Sequence, residues 1–463
     1  MKLMILTLAL LLCLGSGWAQ GITGDWHGML DFGGMKLRIV FHIKASAEGY
    51  SATFDSPDQG AFALPIQSVT FENPNLTMKV DSPPIIYRGE LNNDTITGTF
   101  NQSGYELPLD MQRQVIDKPV YIRPQEPKEP FPYQEEEIEF ANPRAGIKLS
   151  ATLTLPPGKG AFPAVVLISG SGPQDRNEEL LGHKPFWVIA DHLTRAGIAV
   201  LRFDDRGIGG SEGDFATATT LDFASDVASA VRYLQDRKEI SGIGLAGHSE
   251  GGIIAPLVAV EIPELKFIIL LAGTGVRGDK LLLLQEEMLW RVDESDEAKI
   301  DKYLKINRGI FEMVIREADT ELLTNRMRVF LAQSIAEGEI DIPEGFSQED
   351  IISQLIEQMT NPWMLFFVRH DPALVLAKVS CPVLALFGSK DLQVPPTQNL
   401  EAIKSALNQA GNTQYKLIEF PDLNHLFQTA ETGHPSEYAR IEETIAPQVL
   451  ETMTNWIKEL LAR

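Results

Sequence analysis

The sequence predicts a two-domain protein of the α/β class. A mostly parallel sheet with helices on both faces carries a helical insertion, and an antiparallel β barrel or sandwich precedes it. Three observations predict this. Apolar residues alternate with period two from about residue 21 to 113, a proline-rich stretch follows, and beyond it short apolar runs alternate with helical segments. The 463 residues exceed one ordinary core, and 44% apolar with 22% charged residues is a globular composition. A net charge of −23 repels phosphate backbones, so no nucleic acid partner is expected. Only two cysteines occur, Cys13 and Cys381, which excludes a disulfide scaffold and a cysteine-built zinc site.

Residues 1–19 read as an address. Lys2 supplies positive charge, Leu3 to Leu14 is an apolar run too short to span a bilayer, and Gly17 and Ala19 offer small residues at a cleavage site. The expectation is a signal peptide cut after Ala19, and a secreted or periplasmic protein with no stable membrane anchor. Residues 20–115 form the β domain. There Leu37, Ile39, Phe41 and Ile43 alternate with polar residues, as do Leu76, Met78 and Val80, and Tyr105, Leu107, Leu109 and Met111. Turn residues at 56–58, 73–75 and 92–94 separate such runs, which suggests roughly seven or eight short strands. His27 and His42 lack a second ligand at metal spacing and read as surface or packing residues. Nothing in this domain names a partner.

Residues 116–136 carry Pro119, Pro124, Pro127, Pro130 and Pro132, then Glu135 and Glu136, and read as an extended, solvated linker. From residue 137 to 463 the rhythm is strand and helix in alternation. Strands are expected at Ala164–Ile168, Ile198–Phe203, Gly242–Ala246, Phe267–Leu271, Val383–Phe387 and Lys416–Phe420. Helices are expected at Phe186–Arg195, Thr220–Asp236 and Ile441–Ala462. An insertion at about residues 276–370 has helical periodicity. From Val276 to Thr360 it holds 19 acidic and 10 basic residues, 9 of the 23 net negative charges. It is expected to cap the active site.

The chemistry is expected at one turn. Gly247-His248-Ser249-Glu250-Gly251-Gly252 follows a buried strand and opens an apolar helix, the G-x-S-x-G pattern of a serine lifted above a sheet edge. The Glu250 backbone N–H then points at a developing oxyanion. Such a serine needs a base, and the base needs an acid, in the chain order Ser, Asp, His. Asp391 directly follows the strand ending at Phe387 and Gly388. Of the histidines beyond it, His425 and His434, the first lies in the loop directly after the last strand. The second oxyanion donor is expected from the loop 169–177, with the Ser171 N–H foremost and Gln174 as competitor. Asp175 and Arg176 are expected to brace that loop as an ion pair. The glycine-rich loop 203–211 lacks the ending of a phosphate loop and reads as structural.

From about Glu137 onward the chain resembles the α/β-hydrolase superfamily, and more narrowly the bacterial carboxylesterases grouped with serine aminopeptidase-like hydrolases. The motifs that carry the resemblance are Ser169-Gly170-Ser171-Gly172-Pro173-Gln174-Asp175-Arg176, Asp205-Arg206-Gly207-Ile208-Gly209, Gly247-His248-Ser249-Glu250-Gly251-Gly252, Gly388-Ser389-Lys390-Asp391 and Asn424-His425. Many relatives carry His-Gly where this chain has Ser169-Gly170. The resemblance implies Ser249 as nucleophile, His425 as general base and acid, and Asp391 as the orienting acid. It implies a carboxylic ester hydrolase acting on a small-molecule ester through an acyl-enzyme, with no cofactor and no metal. The alternative is a serine aminopeptidase-like peptidase, and a more remote one is a non-catalytic binding protein. The resemblance does not cover the β domain.

Overall fold

The structure, a computed structural model, describes residues 21–462 apart from short stretches at 33–34, 47–48, 60, 81–84, 103–104, 119–120, 294–295 and 343–344. The signal-peptide expectation therefore lies outside the described residues. The chain divides into two compact units, with the break between Lys118 and Pro119.

The first unit is antiparallel throughout. Its strands are β1 (Gly24–Phe32), β2 (Met35–Ser46), β3 (Gly49–Ser56), β4 (Ala61–Ile66), β5 (Ser68–Glu72), β6 (Asn75–Val80), β7 (Ile85–Asn92), β8 (Thr95–Gln102), β9 (Tyr105–Pro108) and β10 (Met111–Gln112). They run in the order β4-β3-β2-β1-β10-β8-β7-β6-β5, with β9 on β8, and the two ends come back into contact. The sheet is nearly closed, which leaves little open edge. The alternation read from the sequence is the pleat itself. Ile39, Phe41 and Ile43 of β2 and Leu76, Met78 and Val80 of β6 point into one core around Trp26 and Tyr87. The Trp26 indole N–H donates to the Ile22 carbonyl at 2.7 Å, so the core's one polar ring atom is satisfied. The single alternating run at 105–111 is two strands in one register on β8, because the Gly98 N–H donates to the Asp110 side chain and interrupts the ladder between them.

His42 is not a bystander on this surface. Its Nδ1 lies 2.8 Å from Asp25 and its Nε2 lies 3.0 Å from Asp55, so it ties β1 to β3 across β2. Partial burial pulls its pKa down, but the two carboxylates outweigh burial and hold it above the ordinary histidine value. A raised pKa means this tie is fully present below about pH 6.5 and is lost as pH rises through the folded-state value. His27, whose own pKa burial lowers, adds mild repulsion. The expected result is a fall in β-unit stability as pH rises above about 6.5, flattened in His42→Gln. Denaturant titrations followed by tryptophan fluorescence read it. Partial exposure limits the effect to under about 1 kcal/mol.

The second unit is built on an eight-stranded mixed sheet: β11 (Gln134–Asn142), β12 (Ile147–Leu155), β13 (Phe162–Ile168), β14 (Ala199–Phe203), β15 (Ile240–His248), β16 (Phe267–Leu271), β17 (Val383–Gly388) and β18 (Tyr415–Phe420). The order is β11-β12-β14-β13-β15-β16-β17-β18, and every pair from β14 to β18 is parallel. Alternate residues of a strand face opposite layers. Ala164, Val166 and Ile168 of β13 join one core, and Val165 and Leu167 join the other, which is why the sequence there is apolar without a break. Helices α1 (Pro185–Arg195), α2 (Thr220–Gln235) and α3 (Gly251–Glu261) connect the central strands. The insertion supplies α4 (Gly278–Asp293), α5 (Glu297–Arg316), α6 (Thr320–Ala336), α7 (Gln348–Thr360), α8 (Pro362–Arg369) and the short α9 (Pro372–Leu376). Then come α10 (Pro396–Gln409) and α11 (Pro447–Leu461). Helices α1 and α11 cover one face of the sheet, while α2, α3 and α10 cover the other. The expected fold class is the one observed. The insertion has a core of its own, with Ile310, Phe311 and Val314 of α5 against Leu323, Met327 and Leu331 of α6 and Ile352 of α7. Its α7 begins with a reciprocal cap, in which Ser347 Oγ accepts the Asp350 N–H and Asp350 accepts the Ser347 N–H.

Two expectations fail here. The proline-rich segment is not a solvated linker over its described length. Arg123 is buried and donates to the carbonyls of Leu181, Ala439 and Ile441 at 2.8–2.9 Å. Gln125 donates to the Ile445 carbonyl and accepts the Thr444 N–H, and Tyr133 donates to Asp191. Prolines deny this stretch a ladder, and side chains hold it as a strap on the second unit instead. The strand β11 begins at Gln134, within the span read as linker. The acidic run lies on it: Glu135 pairs with Arg202, Glu136 with Arg237 and Glu137 with Arg176.

Candidate active site

Strand β15 ends at His248, and Ser249 occupies the left-handed region at φ 52°. A non-glycine residue held there costs about 1–3 kcal/mol and marks a constrained turn. Gly247 has no room for a side chain, since a Cβ on it would sit 2.0 Å from the Gly251 carbonyl oxygen. The Ser249 N–H donates to the Leu271 carbonyl at 2.8 Å, which pins the turn to the next strand. β13 and β15 are neighbours although β14 separates them in sequence, so the crevice opens at their carboxyl ends.

Asp391 follows β17 and His425 follows β18, on that same edge. Asp391 is 1% exposed and His425 is 4% exposed. Asp391 Oδ2 lies 2.8 Å from His425 Nδ1, while Oδ1 accepts the N–H groups of Gln393 and Val394 at 2.9 and 2.8 Å. A carboxylate at Nδ1 assigns the hydrogen to that nitrogen and leaves Nε2 bare. The loop is fixed by Asn424, whose side-chain oxygen accepts from Leu426 and Gln428. Ser249 and His425 line one cavity of about 280 Å³. His434 does not line it; its Nδ1 faces Ser436.

The cavity walls come chiefly from two loops. Leu180, Leu181 and Pro185, which follow β13, supply apolar lining, as do Leu426, Pro435 and Tyr438, which follow β18. Among the described residues, none of the insertion lines it. The insertion was expected as a cap; the lining itself comes from the loops that follow the sheet strands, chiefly those after β13 and β18. The insertion's recorded hydrogen bond to the site is from the Trp363 indole of α8 to Glu250 Oε1, at 2.9 Å. That carboxyl, 3% exposed, also accepts from Thr220 at 2.7 Å, and the Ser171 side chain faces it. Burial raises its pKa, and these three side chains oppose the rise.

The loop after β13 distinguishes the two candidate donors. The Gln174 N–H is committed to Asp205 Oδ2 at 3.0 Å, whereas the Ser171 and Glu250 backbone N–H groups donate no hydrogen bond among the described residues. Burial pushes Asp205 up to about 8, against the Ser169 hydroxyl and the Gln174 N–H. Asp175 and Arg176 do not pair with each other. Arg176 bridges Asp204 and Glu137, and Asp175 accepts the N–H groups of Asn177 and Glu179. The loop 203–211 is structural, as read: Asp204 accepts Arg176 and the Gly210 N–H, and Arg206 pairs with Asp226.

Two residues escaped the sequence reading. Glu178 and His248 face the same cavity, with Glu178 Oε1 2.9 Å from His248 Nδ1. The available signal was a histidine beside the candidate nucleophile together with a carboxylate late in the first loop.

Residues 186–296 match the family described as Hydrolase_4, serine aminopeptidase S33. Esterase EstD of Thermotoga maritima is 25% identical over 311 residues, covering 67% of this chain and 65% of its own. The alignment thus spans just under two thirds of that esterase. An uncharacterized 31.7 kDa protein of Escherichia coli is 24% identical over 279 residues, 59% of this chain and 85% of that one. Among solved structures, Est1E of Butyrivibrio proteoclasticus, with ferulic acid bound, covers 70% of this chain and 100% of its own at 19% identity and a TM-score of 0.42. Esterase Pf2001 of Pyrococcus furiosus covers 72% of this chain and 91% of its own at 15% identity and a TM-score of 0.42.

Proposed function

From the α/β-hydrolase architecture of this chain we propose a serine hydrolase that cleaves small carboxylic esters through an acyl-enzyme on Ser249. The observation that carries this reading is one cavity lined by a strained serine and by a histidine whose Nδ1 is held by a buried carboxylate. Ser249 Oγ attacks the ester carbonyl while His425 Nε2 takes its proton. Asp391 holds the imidazole in the required tautomer and stabilises the cation that forms. The oxyanion takes the N–H groups of Glu250 and Ser171, and losing one such donor typically costs about 10²–10³-fold in turnover. His425 returns the proton to the leaving alcohol, and water repeats the sequence to release the acid. Export rests on residues 1–19 and belongs to the same proposal.

Electrostatics favour an ester over a peptide with a free amino end. An aminopeptidase needs an uncommitted carboxylate to hold the substrate's ammonium. Among the described residues lining the cavity the one carboxylate is Glu178, already engaged by His248 and the Gly170 N–H. An aryl acetate and a proline arylamide, assayed side by side, separate the readings. Hydrolysis of the acetate with the arylamide left intact is the expected result. Preferential cleavage of the arylamide would establish the peptidase. Stoichiometric labelling by a fluorophosphonate is expected at Ser249, and its absence would favour a non-catalytic protein.

A further inference from the structure

We propose that Glu178 and His248 form a buried positioning pair that sets nucleophile, base and oxyanion loop in register. The inference deepens the esterase reading and rests on it. One carboxylate oxygen, Glu178 Oε1, accepts the Gly170 N–H at 2.8 Å and lies 2.9 Å from His248 Nδ1. The other ring nitrogen, His248 Nε2, lies 3.1 Å from the backbone carbonyl oxygen of His425. A carbonyl oxygen only accepts, so Nε2 carries a hydrogen and donates it. The pair then holds one further proton between Glu178 and Nδ1 and is neutral as a unit.

The connectivity gives the pair its consequence. His248 immediately precedes Ser249, and its side chain grips the backbone of His425. The interval between nucleophile and base is thus fixed by the residue next to the nucleophile. The same carboxylate grips Gly170, which immediately precedes Ser171 and its unengaged N–H. Three chain segments from the ends of β13, β15 and β18 meet on these two side chains. The convergence leaves no spare space: a Cβ on Gly170 would lie 3.1 Å from Ser249 Cβ and 3.4 Å from Glu178 Oε1. The imidazole rings of His248 and His425 have centroids 4.8 Å apart.

Glu178 is held in place at a cost. It is 6% exposed and adopts φ 52°, a conformation that non-glycine residues avoid. Its N–H donates to the Asp175 carbonyl, and the Asp175 side chain accepts the N–H groups on either side of it, from Asn177 and Glu179. A residue whose function was merely to fill a loop would gain nothing from that strain. Burial opposes charge on His248, but Glu178, the His425 carbonyl and Asp391 outweigh it and raise its pKa.

Two amides dissect the pair. Asparagine at 248 offers a donor at the place of Nδ1 and keeps Glu178, but cannot reach the His425 carbonyl. Glutamine offers a donor at the place of Nε2 and keeps the carbonyl. On an aryl acetate, with active sites counted by fluorophosphonate labelling, His248→Asn is expected to lose at least about tenfold more kcat than His248→Gln. KM stays within about threefold, since the apolar lining from Leu180, Leu181, Leu426 and Tyr438 is untouched. Simple filling of a buried position predicts equal losses, and amides within about twofold of each other would overturn the proposal. Glu178→Asp provides a second arm that does not depend on His248→Asn folding. It keeps the charge but withdraws the carboxylate by one methylene. A kcat loss of about tenfold at unchanged KM supports the pair, and parent-like kcat overturns it. Ser249→Ala is the control. Activity surviving there would sink the esterase reading itself, whereas an inactive Ser249→Ala beside a parent-like Glu178→Asp sinks only the pair.

Discussion

Replacing Ser249 by alanine is expected to lower kcat on an aryl acetate by about four orders of magnitude or more, with the unfolding midpoint essentially unchanged. The two halves of this expectation come from different atoms. The hydroxyl is the only part of the side chain that chemistry requires. The backbone contribution is the Ser249 N–H to the Leu271 carbonyl, and alanine keeps it. Alanine also tolerates the turn's φ of 52° no worse than serine does, since the strain arises at Cβ, which both possess. A folded variant that retains the parent rate would mean that another group attacks the substrate. Residual hydrolysis of about 10³–10⁴-fold over that in water is compatible with the reading, because the Glu250 and Ser171 N–H groups would still polarise the carbonyl. Loss of fluorophosphonate labelling in the same variant identifies the atom that is acylated.

The parts of the site legible in the sequence were those whose signals are local. Gly247-His248-Ser249-Glu250-Gly251 sits between an apolar strand and an apolar helix start, so both motif and context lie within one short window. Asp391 and His425 were legible for a related reason. Each follows a buried strand directly, and parallel strands all deliver their following residues to one edge. Glu178 and His248 gave no comparable signal, because their significance is a contact across 70 positions and another, to His425, across 177. Composition misled where it was taken for solvation. The prolines near residue 124 do exclude regular hydrogen bonding, but Arg123 and Gln125 replace it with bonds to carbonyls more than 300 positions away. The glutamates at 135–137 do face solvent in part, with Glu135 and Glu137 exposed, but their arginine partners, on other elements, are invisible to a local reading. The insertion was recognised as helical from its period, yet period carries no information on where a helical block rests. The lining of the cavity comes from loops that follow the sheet strands, chiefly those after β13 and β18.

Asp391→Asn provides the sharpest test of how the base is prepared. The change is isosteric, and the Asn oxygen can still accept the N–H groups of Gln393 and Val394 that Asp391 Oδ1 accepts. The remaining arm, facing His425 Nδ1 at 2.8 Å, becomes an amide N–H donor. Two donors cannot face each other, so the imidazole must leave Nδ1 bare and carry its hydrogen on Nε2. That tautomer cannot take the proton of Ser249. The expected kcat loss is about 10⁴-fold near neutral pH, with KM changed only a few-fold. Because the shape of the side chain is kept, a loss of that size cannot be ascribed to a void or to an unfolded loop; equal unfolding midpoints in the two proteins check this. The effect also sets the two tethers of His425 against each other. Asp391 holds the ring, and His248 holds the backbone carbonyl of the same residue. If the ring is the tether that matters for proton transfer, the amide at 391 is far more damaging than either amide at 248. A loss under about tenfold at 391 would reverse that order and show that the imidazole keeps its working tautomer without the carboxylate. The orienting acid would then have to be sought elsewhere.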